Sequence, residues 1–106
     1  MVYSTRRPGT NRQGGSFDRP TIITVWNKGR IIPGYDSSIW RLDRCGAVIR
    51  FTDYGNTESN YGWEIDHERP VAKGGGDEPS NLQPLQWQNN RHKSDSFPEW
   101  SCRIRA

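Results

Sequence analysis

The chain has 106 residues, a length that suits one domain, and its hydrophobic content of 31% allows only a small core. The formal net charge of +3 is unevenly spread, because residues 1–50 carry a net +6 and residues 51–106 a net −3. No apolar run could span a membrane, no signal-peptide pattern opens the chain, and the lack of a Cys-x-x-Cys pair argues against a zinc knuckle. We therefore expect no membrane association, and a protein that holds a polyanion with its basic half and a cation with its acidic half.

The first 20 residues, MVYSTRRPGTNRQGGSFDRP, are rich in Arg, Gly, Pro and Ser. This composition predicts a flexible basic arm or linker with little regular structure. Its arginines are candidates for phosphate contacts, and a linker remnant without such a role is the equal alternative. We expect the folded domain to comprise residues 21–106.

Two short helices are predicted next. Apolar residues repeat at helical spacing in residues 21–29, and Gly29 suits the end of a helix. A Pro-Gly turn follows, and the apolar anchors of residues 37–46 then predict a second short helix that ends at Gly46.

The remaining pattern indicates strands and one helix. Residues 47–55 and 61–67 alternate and contain many β-formers, so we expect them to pair as a small antiparallel hairpin. Residues 82–85 predict a short extended segment, and residues 86–95 predict a helix. The expected fold class is α+β, with a core rich in aromatic side chains because the chain has five Trp, four Tyr and three Phe.

The two cysteines, Cys45 and Cys102, are far apart in sequence. A disulfide between them is an open alternative. We expect two ordinary small apolar residues instead, since nothing in the spacing requires a bond.

The segment WEIDHERP places Asp66 directly before His67 at the end of a predicted strand. Asn81 and Asn90 follow 14 and 23 residues after this histidine. Histidine side chains suit a base that activates water, and carboxylate or amide oxygens suit a Mg²⁺ ion. A regular strand would point Asp66 and His67 to opposite faces, so we expect a bend or bulge there.

The stretch DHERPVAKGGGDEPSNLQPLQWQNNRHKSD resembles the motif of the HNH endonucleases, whose fold is the ββα-metal finger. The resemblance implies that His67 is the general base and that Asp66 is a metal ligand. It also implies that Asn81 orients the histidine or stabilises its loop, and that Asn90 is the second protein ligand. The motif core covers residues 47–95.

Two departures from the commonest form of this motif bear on the metal. Asn90 stands where a histidine is usual, and Gln86 and Asn89 stand where zinc-supported members carry cysteines. The Asp-His…Asn…Asn form is similar to the HNH domain of RNA-guided CRISPR nucleases. It favours Mg²⁺, with Mn²⁺ as the alternative, although Zn²⁺ or Ni²⁺ could occupy the site. His92 competes with Asn90 but lies about 200° away around a helix, so we expect it on the surface.

The resemblance implies a metal-dependent endonuclease that hydrolyses phosphodiester bonds, with double-stranded DNA as the expected partner and weak sequence specificity. A non-catalytic nucleic-acid-binding module on the same fold is the alternative. A cytoplasmic nuclease of bacterial or phage origin fits this activity, and so does the effector domain of a secreted toxin with an immunity protein as partner. Solvated surface charge is the competing interpretation for the candidate nucleic-acid contacts, which are Lys73, Arg91, Lys93, Arg50 and Arg44.

Overall fold

The computed structural model of the protein describes residues 6–105. Within that range, two α-helices and two antiparallel sheets form an α+β fold, which confirms the predicted class. Strands β1, β2 and β3 form one sheet in that order, and β4 pairs with β5 in the other. The elements in chain order are α1 (Arg19–Trp26), β1 (Arg30–Ile31), β2 (Trp40–Leu42), β3 (Val48–Arg50), β4 (Trp63–His67), β5 (Leu82–Gln86) and α2 (Trp87–Lys93).

Helix α1 confirms the helix predicted in residues 21–29, although it begins two residues earlier. The Asp18 carboxylate accepts a hydrogen bond from the Thr21 backbone N–H at 2.9 Å, which satisfies a donor that the first turn leaves free. Hydrogen bonds from the side chain of Thr21 and from its backbone N–H lower the pKa of Asp18. At the other end, the Gly29 N–H donates to the Trp26 carbonyl at 2.9 Å.

The second predicted helix, in residues 37–46, is wrong, because this segment forms β2 and a tight turn. Strand β2 pairs with β3 through Trp40–Arg50, Arg41–Ile49 and Leu42–Val48. Asp43 then closes the turn, accepting bonds at its Oδ1 from the N–H groups of Cys45 and Ala47. Gly46 has a φ of 87°, so it serves this turn and does not end a helix.

The hairpin predicted between residues 47–55 and 61–67 is also wrong. After β3 the chain enters a 3₁₀ turn, Phe51–Asp53, and only a single bridge joins Tyr54 to Trp63. Strand β4 pairs with β5, which confirms the extended segment predicted in residues 82–85. The pairing prediction failed because β3 pairs with β2, which precedes it, and β4 pairs with β5, which follows it.

The core is aromatic, as the composition predicts. Trp63 is fully buried at 0% exposure and lies 5.2 Å from Trp26 between ring centroids. Phe51 contacts Trp26 edge to face at 5.4 Å. The buried core cluster consists of Phe17, Val25, Trp26, Ile49, Trp63, Ile65 and Leu82.

The two cysteines form a disulfide, so the expectation of unpaired cysteines is wrong. Cys45 lies on the turn after β2, and Cys102 lies on the C-terminal tail, with Cα atoms 5.8 Å apart. Asn89 of α2 holds the same tail, because its side chain bonds the backbone of Arg103 and Ile104. The sequence could not reveal this proximity, because the position of the tail beside Cys45 depends on its contacts with α2.

A buried polar network lies where zinc-supported members of the motif carry cysteines. The Asp43 Oδ2 atom accepts bonds from the Gln86 backbone N–H at 2.9 Å and from the Asn89 side chain at 3.0 Å. All three residues are almost fully buried. The network therefore ties the turn after β2 to the start of α2.

Residues 6–18 have an irregular backbone but lie against the domain. Phe17 enters the core, and the Arg12 backbone N–H donates to the carboxylate of Asp77 at 3.0 Å. The division at residue 20 stays a prediction, and residues 1–5 of the predicted arm lie outside the described residues. Of the helices between residues 6 and 105, none is long and apolar enough to cross a membrane.

Candidate active site

Strand β4 runs between the core and α2, and its alternating side chains serve both. Trp63 and Ile65 belong to the core cluster. Glu64 and Asp66 point the other way, where they bond side chains of α2. From Trp63 to Asp66 the strand therefore alternates core residues with residues that bond α2, as a pleated strand does.

Asp66 and His67 nevertheless line one cleft, of about 200 Å³, together with Asn90. The ladder with β5 skips no residue through Asp66–Gln83 and His67–Leu82, so the expected bulge is absent from it. The cleft lies where β4 ends, and Pro70 of the following loop also lines it. Since a strand end is open to both faces, both side chains reach the same space.

Asp66 is a buried carboxylate with two donors. Gln83 donates to its Oδ2 at 2.9 Å, and the Lys93 ammonium donates to its Oδ1 at 3.3 Å. Burial raises the pKa of Asp66, and the bonds from Gln83 and Lys93 oppose that shift. Each carboxylate oxygen keeps a further lone pair, so Asp66 can still bind a cation.

Asn90 faces Asp66 from helix α2. Its Nδ2 donates to Glu64 Oε1 at 2.9 Å, an orientation that follows because a carboxylate can only accept. Its Oδ1 accepts no bond from the residues between 6 and 105, and no buried polar side-chain atom in that range lacks a partner. This oxygen must therefore reach solvent in the cleft. His92 is exposed and bonds Ser101 at 3.2 Å, outside the cleft.

No group of three or more His, Cys, Asp or Glu side chains in residues 6–105 is arranged to hold a metal ion. A cation in this cleft would depend on one carboxylate, Asp66, and one amide oxygen, Asn90. Both are oxygen donors, and the cysteine sulfurs are engaged in the disulfide. The donor set fits a hard divalent cation and suits a soft one poorly.

His67 is 3% exposed, and its two ring nitrogens have different surroundings. Nε2 lies 2.7 Å from Oδ1 of Asp77. Nδ1 bonds no residue between 6 and 105, and since no buried polar side-chain atom there lacks a partner, Nδ1 must reach solvent. A carboxylate partner requires the proton on Nε2, which leaves the Nδ1 lone pair free to accept a proton.

Asp77 was missed by the sequence reasoning. It stands at the end of the Gly-rich loop, ten positions after His67. The only sequence signal was an acidic residue after three glycines, and such loops often carry one without any contact to a histidine. The pairing depends on how the loop folds back.

Asn81 does not bond the histidine ring. Its Oδ1 accepts from the Arg69 N–H at 2.9 Å, and its Nδ2 donates to the carbonyls of Arg69 and Gly76 at 3.1 and 3.0 Å. Gly75 lies so close to this loop that a Cβ there would stand 1.7 Å from the Arg69 oxygen. Of the two roles expected for Asn81, its contacts are those of a residue that stabilises the loop after β4.

One of the candidate basic residues lines the cleft, and a second bonds residues that line it. Arg91 lines it, pairs with Glu64 at 3.0 Å and keeps 45% of its side chain exposed. Lys93 is buried, and besides Asp66 it bonds the His67 carbonyl at 3.0 Å. Arg6, from the N-terminal segment, lines the same cleft.

The other three candidates lie away from the cleft. Lys73 is exposed on a 3₁₀ turn. Arg44 pairs with Glu68 at 3.4 Å. Arg50 pairs with Asp53 at 2.9 Å and stacks over Trp40. Their roles in nucleic-acid binding stay predictions.

Comparison with known proteins gives one match. The model of the family described as HNH endonuclease matches residues 43–96, half of the chain. The matched region includes Asp66, His67, Asn81 and Asn90. No curated protein and no solved structure matches the chain.

Proposed function

Because the chain belongs to the HNH endonuclease family, we propose that it is a metal-dependent nuclease that hydrolyses phosphodiester bonds of DNA. The observation that carries the proposal is the meeting of Asp66, His67 and Asn90 in one cleft. In this proposal β4, β5 and α2 are the ββα-metal finger, in which one ligand comes from a strand and the other from a helix.

His67 is the general base. His67 lines the cleft, and its Nδ1, which bonds no residue between 6 and 105, takes a proton from the water that attacks phosphorus. General bases placed in this way contribute about 10²–10⁴-fold to a rate. The burial of the ring keeps Nδ1 in one position, so little reorganisation precedes proton transfer.

Asp66 and Asn90 would hold the divalent cation, with Mg²⁺ preferred and Mn²⁺ able to replace it. When bound, such an ion neutralises charge that develops on the phosphate and on the leaving 3′ oxygen. Gln83 and Glu64 orient these two ligands by hydrogen bonds at 2.9 Å, as partners of metal ligands commonly do. Asn81 keeps the loop beside them in place.

Arg91 and Arg6 are the cations of the cleft wall, and we assign them contacts to the phosphates that flank the scissile bond. Such contacts position the backbone and carry no sequence information, which accords with weak specificity. The expected products have a 5′-phosphate and a 3′-hydroxyl, as the resemblance to the family implies.

The disulfide favours one biological role over another. Disulfides persist in oxidising compartments and are rare in the cytosol, so Cys45–Cys102 favours the effector domain of an exported toxin over a cytoplasmic nuclease. An immunity protein would then be a partner. Toxicity of the chain when it is expressed alone, with rescue by the product of a neighbouring gene, tests this role.

A plasmid-nicking assay tests the activity. In Mg²⁺ the wild-type protein should nick supercoiled DNA, EDTA should abolish nicking, and His67→Ala should lower the rate by about 100-fold or more. The matched control is His92→Ala, which alters the chain's second histidine outside the cleft and should leave the rate unchanged. Nicking by His67→Ala at the wild-type rate would overturn the assignment. Salt-sensitive DNA binding without any nicking would favour the non-catalytic binding module instead.

A further inference from the structure

Asp77 joins the buried histidine to the N-terminal segment. Its Oδ1 lies 2.7 Å from His67 Nε2, and the Arg12 backbone N–H donates to Oδ1 at 3.0 Å and to Oδ2 at 3.2 Å. The His67 side chain is 2% exposed, whereas that of Asp77 is 34% exposed. The carboxylate of Asp77 is thus partly exposed to solvent, whereas the imidazole ring to which it bonds is buried.

Hydrogen bonds within residues 11–15 fix the position of the Arg12 N–H. The Asn11 side-chain oxygen accepts bonds from the N–H groups of Gln13 and Gly15 at 3.0 and 2.9 Å. The Asn11 backbone N–H also donates to the Gly15 carbonyl at 2.8 Å. These bonds close residues 11–15 into a compact loop, and the Arg12 N–H of this loop donates to Asp77.

A second contact from the same segment restrains the ring. Phe17 packs beside His67 with ring centroids 5.9 Å apart at 39°. Asp77 therefore restrains one edge of the imidazole while Phe17 restrains its face. Neither residue lines the cleft, so neither is placed to touch a substrate held there.

We propose that Asp77 is the positioning residue of His67, held in place by the backbone of the N-terminal segment. This inference rests on the proposed role of His67 as the base. The bond to a carboxylate keeps the proton of the neutral ring on Nε2, so Nδ1 is the accepting nitrogen.

The proposal gives residues 6–17 a role that the composition of the segment did not indicate. The prediction there was a flexible arm or linker. The segment instead supplies the N–H that anchors Asp77 and the ring that packs on His67. In this proposal the segment supports the position of the histidine in the candidate active site.

The test compares Asp77→Ala and Asp77→Asn with wild type in the Mg²⁺-dependent nicking assay, with Glu78→Gln as the matched control. Glu78 is the adjacent exposed acidic residue. Asp77→Ala should lower kcat by about 10–100-fold, the range found for residues that orient functional histidines, while KM changes by less than about 2-fold. Asp77→Asn should fall between, because its amide oxygen can still accept from Nε2. A wild-type kcat for both variants would overturn the proposal.

A double-mutant cycle separates positioning from general support of the fold. If Asp77 acts through His67, Asp77→Ala should change the residual rate of His67→Ala protein by less than about 2-fold. Independent, multiplicative losses would mean that Asp77 supports the fold only. If His67→Ala itself nicks at the wild-type rate, the proposed function fails before Asp77 is tested, so the two failures are distinguishable.

A spectroscopic readout stands apart from activity. Wild-type protein should show a protected Nε2–H imidazole signal by NMR, because that proton lies between the buried ring and Asp77. Asp77→Ala should lose the protection, whereas Glu78→Gln should keep it. A wild-type signal that is already unprotected would show that the bond does not hold the ring in solution, and the proposal would fall.

Discussion

Removing the Cys45–Cys102 disulfide should cost a large part of the stability of this domain. The two cysteines are 57 residues apart in sequence. The loop-closure model for a loop of that length gives about 4 kcal/mol at 25 °C, because the bond restricts the unfolded chain. Domains of this size are stable by about 5–15 kcal/mol in total. We therefore expect the variant Cys45→Ser/Cys102→Ser to be folded but markedly weakened.

Urea unfolding followed by tryptophan fluorescence measures this loss, since the chain has five Trp and Trp63 is fully buried. With an unfolding slope of about 1–2 kcal/mol/M, the midpoint should fall by about 2 M or more. Reductant should lower the wild-type midpoint by a similar amount. It should leave the double serine variant unchanged, which makes that variant the control for unrelated effects of the reductant.

Two results would refute the reasoning. A double serine variant within about 1 kcal/mol of the oxidised wild type would show that the unfolded chain gains little freedom from the missing bond. The Asn89 contacts to the tail would then be the main restraint. Reactive thiols in denatured, unreduced wild-type protein would show that the bond does not form in solution.

Three further predictions concern the metal, the N-terminal segment and the tail. In a metal titration, Asn90→Ala should raise the Mg²⁺ concentration that gives half-maximal nicking by about 10-fold or more, whereas His92→Ala should leave it unchanged. The reverse order would assign the ligand role to His92. Arg12→Pro removes the N–H that Asp77 accepts and should lower kcat, whereas Arg12→Ala keeps that N–H; a raised KM for Arg12→Ala would instead reveal a phosphate contact. Asn89→Ala should lower the free energy of unfolding by about 2–4 kcal/mol in urea titrations, because Asn89 is fully buried and bonds both Asp43 and the tail. A change below about 0.5 kcal/mol would show that these bonds do not stabilise the fold.

The parts of the site that lie close together in sequence could be predicted. Asp66 and His67 are adjacent, and Asn90 follows on a predicted helix, at the position that the order of the motif indicated. The spacing of the motif reflects one strand, one loop, one strand and one helix packed on each other. Elements that follow one another in this way fix the spacing of the motif residues, so the family could be named from residues 66–95.

The elements that were predicted wrongly depend on which neighbouring segment each strand pairs with. Residues 40–42 carry apolar side chains compatible with a helix, but pairing with β3 makes them a strand. Strand β4 has β-formers shortly before it in the chain, yet it pairs with β5 because Leu82 and Leu85 bury against the core. Propensity is a weak prior, and tertiary pairing overrides it in short segments such as these.

The side chains that meet in the cleft could be read from the chain, because a histidine, a carboxylate and an amide at these spacings belong to one local motif. The residues that support them could not, because their contacts arise from the packing of distant segments. Asp77 meets His67 through a folded loop, Arg12 meets Asp77 across 65 residues, and Cys45 meets Cys102 across 57. Such contacts obey no fixed spacing, because they form only where packing brings remote segments together.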